Sequence, residues 1–289
     1  MRSFLLGLVG LLALTINADA KPPQNEEERA AALKSLTWRE GQTLTLPNSH
    51  ASLKAPANIR QLLGQDAVSL WEILNGLEAP AGTEAALYDE RTDTLVFYQK
   101  VADGYVRLDD WDEVDADAML KEVSANTEAA NARRKGAGIS AIHVVGWLEK
   151  PHLDRATNTV RWAFEANDER DGSLVNSIAL VLGRDGFEKL TWIGPKSAVN
   201  DGLLNVAQSS FAFPAGGSYA DFKPGDKVAE YGVAGLVAAV LGVKAAVKFG
   251  LLAAVVLFAK KLGVFLLIPV VMIFGWLKRI WSRRSQPPS

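Results

Sequence analysis

The sequence predicts an α+β domain, built as an antiparallel sheet meander with packed helices and followed by a C-terminal membrane helix region. Three observations predict this class. Short segments of alternating polarity recur between turn residues, which is typical of strands. One stretch, residues 116–135, has apolar positions at helical spacing and charges of the right sign at both ends. Residues 262–277 carry no charge, and basic residues follow them.

Residues 1–20 have the parts of a secretory signal peptide. Arg2 supplies the charged start, Phe4–Leu14 an apolar core, and Ala18-Asp19-Ala20 an A-x-A cleavage site. We therefore expect cleavage after Ala20 and a mature chain outside the cytoplasm. Residues 21–36 form a lead-in segment with a short surface helix, which Asn25 can cap.

The composition excludes several kinds of site. The chain has no cysteine, so it has no disulfide, no thiolate metal site and no thiol nucleophile. The formal net charge is −2. Residues 1–20 are neutral and residues 227–289 carry nine basic residues and one acid, which leaves a charge of −10 for residues 21–226. An acidic domain argues against nucleic acid as a partner, because phosphate contacts require clustered lysine and arginine.

Residues 37–225 are predicted to form the extracytoplasmic domain. Its first half contains strands at residues 42–46, 51–55, 84–88, 95–101 and 105–108. Helices are predicted at residues 67–75 behind Asp66 and from Ala116 to Lys135 behind Asp115. The acidic run Asp109–Asp117 lacks the central glycine of a calcium loop, so helix capping is its more common role.

The second half is predicted as a four-strand meander. Its strands are residues 140–148, 159–165, 174–183 and 187–193, and Asp185-Gly186 is a tight-turn signal before the last one. The strand at 140–148 is apolar on both faces, so we expect it to be central and covered on both sides. A further helix is predicted at residues 198–206.

The C-terminal region is predicted to meet the membrane in two parts. Residues 226–259 form a membrane-proximal amphipathic or re-entrant helix, and residues 260–289 a transmembrane anchor with a basic cytoplasmic tail. The span runs over Leu262–Trp281. A second span through residues 232–259 would bury Lys244 and Lys248 at about 2.5–3.5 kcal/mol each. We favour one span, and a two-helix hairpin is the alternative.

Catalytic and metal motifs are absent from the sequence. The three histidines have no metal-ligand spacing, and no G-x-S-x-G or dinucleotide-binding loop is present. We therefore expect no metal and no cofactor. Trp147 and Trp162 lie on neighbouring predicted strands and are candidates to stack on a ligand, although core positions are the commoner role of such residues.

Many residues along the chain resemble one bacterial family in their order and spacing. The likeness runs from about Gly41 to the C-terminal tail and rests on Asn131, Arg134, Gly146-Trp147, Pro151, Asp154, Trp162-Ala163, Asn176, Leu182-Gly183-Arg184-Asp185-Gly186, Tyr219-Ala220-Asp221-Phe222 and Asp226-Lys227-Val228-Ala229-x-Tyr231-Gly232. Together they resemble the family of unknown function DUF2167. His152 and Ser177 depart from its pattern. The resemblance implies a membrane-anchored protein and no particular activity.

Two hypotheses about function follow. The first is a non-enzymatic binding or scaffold module, tethered to membrane lipid and contacting a membrane-protein or envelope partner. The candidate contact residues are Trp147, Trp162, Asp154, Arg184, Asp226, Lys227 and Tyr231. The second is a carboxylate-dependent hydrolase acting on an envelope substrate, with Asp109–Asp117 or Asp154 and Asp185 as the acids. A cleft with two carboxylates about 5–10 Å apart would favour the enzyme.

Overall fold

The computed structural model describes residues 26–75, 78–136, 140–170 and 172–243. In chain order the elements are α1 (Glu26–Ser35), β1 (Arg39–Glu40), β2 (Thr43–Thr45), β3 (Ser52–Lys54), β4 (Arg60–Leu63), α2 (Gln65–Asn75), β5 (Thr83–Asp89), β6 (Thr94–Val101), β7 (Tyr105–Arg107), α3 (Ala116–Gly136), β8 (Ile142–Asp154), β9 (Thr159–Asp168), β10 (Gly172–Leu182), β11 (Phe187–Pro195), α4 (Leu203–Ser210), β12 (Phe211–Ala212), β13 (Val228–Gly232) and α5 (Val233–Leu241).

One large antiparallel sheet is the centre of the fold. Its eight strands run in the order β1-β4-β5-β6-β11-β10-β9-β8. The four strands β8 to β11 are consecutive neighbours, which confirms the predicted antiparallel meander. The strands predicted at residues 84–88 and 95–101 are also present and form the hairpin of β5 and β6, which joins the meander through the pairing of β6 with β11. The α+β class is therefore confirmed.

The two faces of this sheet are covered differently, since side chains alternate along each strand. On one face, Leu87 and Tyr98 pack with the small sheet β12-β3-β2 and with α4. On the other face, Ala86 and Phe97 pack with α2, while Trp162 packs with α3 and α5. Both faces of the central strands are buried, which explains why β5 is buried along its whole length.

The expectation that residues 140–148 form a central strand is wrong. β8 is the edge strand of the large sheet, and Val145 and Leu148 are 62% and 41% exposed. The pairing of β8 with β9 shifts register after Val144, Trp147 and Glu149. Each shift interrupts the two-residue alternation, so apolar residues reach both faces without both being covered. Bulges are also typical of edge strands, where they hinder pairing with other chains.

The folded unit continues past residue 225, where the sequence-based domain ends. β13 pairs in parallel with β7, and α5 is buried among the side chains of α3 and β9. Val233, Leu236 and Val237 are at most 1% exposed. Residues 228–241, predicted as the start of a membrane-proximal helix, therefore belong to the domain core, because their apolar side chains pack on the sheet.

The remaining membrane predictions fall on residues that the structure does not describe. The signal peptide at 1–20, the rest of the amphipathic helix from residue 244, and the span Leu262–Trp281 all lie outside the described residues. Within those described, no helix is long and apolar enough to cross a membrane.

Candidate functional site

The candidate site is the group of side chains that fixes β13 and α5 to the domain. We call it the clasp and define it as Asp103, Tyr105, Asp110, Arg184, Tyr219, Phe222, Asp226, Lys227, Tyr231 and Gly232. These residues come from four separate parts of the chain: the β6–β7 turn and β7, the loop after β7, the β10–β11 turn, and residues 219–232. The clasp contains four of the seven candidate residues from the sequence: Arg184, Asp226, Lys227 and Tyr231.

A two-bond ion pair joins the β10–β11 turn to the segment before β13. Arg184 donates from Nε to Oδ2 of Asp226 and from Nη2 to Oδ1, both at 2.7 Å. Asp226 Oδ2 also accepts a hydrogen bond from the backbone N–H of Lys223 at 2.7 Å. These donors, the Arg184 guanidinium first, lower the pKa of Asp226 to about 2. The fork of the guanidinium matches a carboxylate, which fixes orientation as well as charge.

Three aromatic rings form the middle of the clasp. The ring of Tyr105 stacks on Tyr219 at a centroid distance of 4.3 Å and on Phe222 at 4.1 Å. The hydroxyl of Tyr219 donates to the Val106 carbonyl at 2.7 Å. Tyr231 donates its hydroxyl to Asp103 Oδ2 at 2.5 Å, and burial, followed by this bond, raises the pKa of Tyr231. Tyr219 and Tyr231 thus each join a half-buried ring to a polar partner in another part of the chain.

Backbone contacts also hold the β6–β7 turn and β7 close to the start of β13. Tyr105 donates its backbone N–H to the Lys227 carbonyl at 2.9 Å. Gly104 has a φ of +110°, and a Cβ there would lie 2.8 Å from that carbonyl oxygen. The turn therefore needs glycine both for its backbone conformation and for the approach of β13. The Lys227 ammonium donates to the Ala102 carbonyl at 3.5 Å.

Asp110 fixes the start of α5. Its Oδ1 accepts a hydrogen bond from the Ala234 backbone N–H at 3.3 Å, so a residue of the acidic run caps a helix that lies far away in the sequence. Gly232 permits this contact, because a Cβ at position 232 would overlap the Asp110 carboxylate. Burial raises the pKa of Asp110.

Three candidate residues lie outside the clasp. Trp162 is fully buried in the core. Trp147 is half-buried, packs edge-on against Phe164 and donates its Nε1 hydrogen to the Ala116 carbonyl at 2.9 Å. Asp154 holds the β8–β9 turn by accepting from the N–H of Ala156 and the hydroxyl of Thr157, both at 2.8 Å. All three contacts stabilise the fold.

Three further acids among those nominated for a hydrolase also have structural partners. Asp115 accepts from the Ala118 N–H at 3.0 Å, so its predicted role as the cap of α3 is confirmed. Asp117 pairs with Lys150 at 2.8 Å, and Asp185 accepts a hydrogen bond from the Lys100 ammonium at 2.6 Å.

A cluster of ionisable side chains inside the sheet is not among the residues predicted from the sequence. Glu84 and Glu188 are fully buried, and the Lys100 side chain is only 8% exposed. A signal was present in the sequence, because Glu188 is in phase with Leu190 and Trp192 on a strand that was correctly predicted. A charged residue on an apolar face is the pattern that would have revealed it.

His143 lies in a surface cluster of charges. Its Nδ1 is 2.8 Å from Glu128 Oε1 and its Nε2 is 3.3 Å from Glu169 Oε1, and these bonds raise the pKa of His143. The cluster joins α3, β8 and the end of β9. Over the described ranges, no group of three or more histidine, aspartate or glutamate side chains is arranged to hold a metal ion.

Replacing Arg184 with lysine is expected to loosen the clasp, because a lysine cannot form the two parallel bonds to Asp226. Hydrogen–deuterium exchange of the full-length chain should increase at residues 226–241 and stay unchanged in β9 and β10.

The stability that Asp226 contributes depends on pH in a defined direction. Since the pKa of Asp226 is lowered in the folded state, its contribution is present above about pH 3.8 and is lost as the pH falls toward 2.

The matched control is Lys196→Gln, which breaks the exposed ion pair of Lys196 with Glu165 on β9, away from the clasp. This variant should leave exchange at residues 226–241 as in the parent. Equal exchange in Arg184→Lys and the parent would show that the ion pair does not hold β13.

Comparison with solved structures finds distant likenesses of fold. A PsbP from the cyanobacterium Synechocystis (CyanoP) is 11% identical, with a TM-score of 0.35 over 60% of this chain and 92% of that one. The Ran-binding protein Mog1p of Saccharomyces cerevisiae is 12% identical, with a TM-score of 0.30 over 65% and 100%. A protein from Bacteroides thetaiotaomicron is 11% identical, with a TM-score of 0.29 over 61% and 49%. Such weak likenesses have no bearing on function.

The family comparison covers most of the chain. No curated protein matches it. The model of one protein family matches residues 38–271, from β1 through the clasp and beyond α5. The motifs quoted for the resemblance, at residues 182–186, 219–222 and 226–232, meet in the clasp. The chain therefore belongs to the family described as protein of unknown function (DUF2167).

Proposed function

We propose that this protein is a membrane-anchored envelope protein whose domain is a non-enzymatic binding or scaffold module outside the cytoplasmic membrane. The observation that carries the proposal is the clasp. It holds the last strand and helix of the domain directly before residues 244–289, the part of the sequence with the apolar stretch and the terminal basic residues. A strand and helix held firmly at the end of the domain are what a module tethered through the residues that follow would need.

The clasp supports a module better than a hydrolase. The carboxylate of Asp226 is bound by Arg184 and Asp103 by Tyr231, so both acids are used to hold chain segments together. Asp154 and Asp185 are engaged in the same way, by a turn and by Lys100. Acids with such partners are poorly suited to general acid or base work, which needs a carboxyl group facing substrate. Membrane lipid and a membrane-protein or envelope component are the partners that we propose.

Single cysteines test the topology, since the chain has none of its own. Ser173 is exposed on β10 and reports on the domain, while Ser285 reports on the tail. We expect a membrane-impermeant maleimide to label Ser173→Cys in intact bacterial cells with a permeabilised outer membrane. The Ser285→Cys variant should stay protected until the cells are lysed, because one span places the terminal basic residues in the cytoplasm.

Two other outcomes are informative. Labelling of both positions before lysis would replace the single span with the hairpin. Protection of both positions before lysis would contradict the placement of the domain outside the cytoplasm.

A further inference from the structure

Two buried glutamates lie on strands that flank β6. Glu84 is on β5 and Glu188 is on β11, and each has a relative exposure of 0%. Glu84 is close enough to Glu188 to raise the pKa of the Glu188 carboxyl group. Two charged carboxylates buried next to each other would repel each other strongly.

Three of the four carboxyl oxygens of the pair receive no hydrogen bond from the described residues. Glu84 Oε2 accepts from the backbone N–H groups of Asn48 and Ser49 at 2.6 Å and 3.0 Å, which joins β5 to the loop between β2 and β3. Glu84 Oε1 and both oxygens of Glu188 are buried and have no hydrogen-bond donor among the described residues. A proton on Glu188 would supply the missing donor and remove one of the two charges.

The neighbouring groups do not supply that donor. Lys100 lies directly opposite Glu188 in the β6–β11 register, but its ammonium binds Asp185 Oδ1 at 2.6 Å. The hydroxyl of Tyr98 donates to the Ala207 carbonyl at 2.8 Å. Burial and then Glu84 raise the pKa of Glu188 well above its usual range, while Lys100 opposes this shift. Tyr98, Lys100 and Glu84 are the titratable neighbours that act on the pair.

We infer that Glu188 carries a proton beside Glu84 at neutral pH, and that this buried pair makes the fold proton-dependent. The protonated pair ties β5 and β11 to the loop of residues 47–50. Loss of the proton places two negative charges in one buried site, and their repulsion weakens the hold of Glu84 on this loop. This inference does not depend on the proposed membrane anchor.

The direction of the pH dependence follows from linkage. The folded-state pKa of Glu188 is raised, so the stability from its protonated form is fully present below about pH 4.5, its ordinary value. That stability is lost as the pH rises toward the folded-state pKa. Across this window the equilibrium constant for folding should fall by a factor approaching ten for each pH unit through this one group. The dependence on pH is opposite to that of Asp226.

The test compares the full-length parent with Glu188→Gln, which keeps the shape of the side chain and cannot ionise. Urea unfolding is measured between pH 4.5 and 8. We expect the parent to lose up to about tenfold in folding equilibrium constant per pH unit relative to the variant, whose profile should be flatter. Hydrogen exchange at residues 47–50 should increase with pH in the parent only. Infrared spectroscopy gives a direct readout: the parent should show the carbonyl band of a protonated carboxyl group at pH 7, and the variant should lack it.

Glu149→Gln is the matched control, because Glu149 is exposed on the edge strand β8. Its pH profile and its carboxyl band should match those of the parent. The inference is overturned if the parent shows no such band at pH 7, or if the parent and Glu188→Gln have parallel profiles. If the variant fails to fold, absence of this band in the parent still overturns the inference.

Discussion

Replacing Trp162 with alanine is expected to lower the free energy of unfolding by about 3–5 kcal/mol, the largest loss for any single tryptophan of the sheet. Trp162 is fully buried in the cluster that joins α3 and α5 to the sheet, so its removal leaves a cavity among fixed neighbours. Its indole N–H has no hydrogen-bond acceptor among the described residues, so the loss comes from packing alone. Urea unfolding of the full-length chain, followed by far-ultraviolet circular dichroism, measures it.

Two variants separate packing from position in the sheet. Trp162→Phe should cost clearly less than the alanine variant, because it leaves a smaller cavity and removes no satisfied hydrogen bond. Trp147→Ala should cost about 1–3 kcal/mol, since Trp147 is half-buried and loses one hydrogen bond to Ala116. An equal loss in Trp147→Ala and Trp162→Ala would contradict the placement of β8 at the edge.

Replacing Gly186 with alanine is expected to destabilise the chain by about 3 kcal/mol or more. Gly186 has a φ of +148°, which L side chains rarely adopt, and a Cβ there would lie 1.9 Å from the Val101 carbonyl oxygen. The end of β6 would have to move, and it adjoins the turn that carries Arg184 and Asp185. By thermal unfolding, a midpoint decrease on the order of 6–12 °C is expected for a domain of this size.

Gly216→Ala is the control for backbone strain without overlap. Gly216 has a φ of +79°, and no atom lies within 4 Å of a Cβ built there. This variant should cost only about 1–2 kcal/mol, the strain of a left-handed non-glycine residue. If the two glycine variants lose the same stability, the contact with Val101 is not the cause.

Local chemistry in the sequence is enough to predict much of the domain. Asp115 caps α3 as predicted, because a cap depends on residues three positions apart. Asp185-Gly186 makes the turn between β10 and β11, and short connections make the meander antiparallel. The predicted helix at 198–206 is displaced to Leu203–Ser210, since Gly202 in a left-handed conformation ends a short 3-10 helix before it.

The position of a strand within the sheet does not follow from such local patterns. The apolar residues of β8 are compatible with a central strand by pattern, but the strand lies at the edge with Val145 exposed. Bulges change which side chains share a face, and a bulge depends on the pairing with β9. The same limit applies to Trp147 and Trp162, which look alike in sequence and differ in burial because only one lies on an inner strand.

The sequence by itself determined the fold class, the family and four of the residues that meet in the clasp, because these depend on periodicity, turn chemistry and motif order. Only the tertiary structure decided that Arg184 binds Asp226, that Asp110 caps α5, and that Glu188 is buried beside Glu84. These contacts join residues 42, 124 and 104 positions apart in the chain. The physical reason is that local patterns report which face a side chain occupies, whereas its neighbours across the sheet depend on strand order and register.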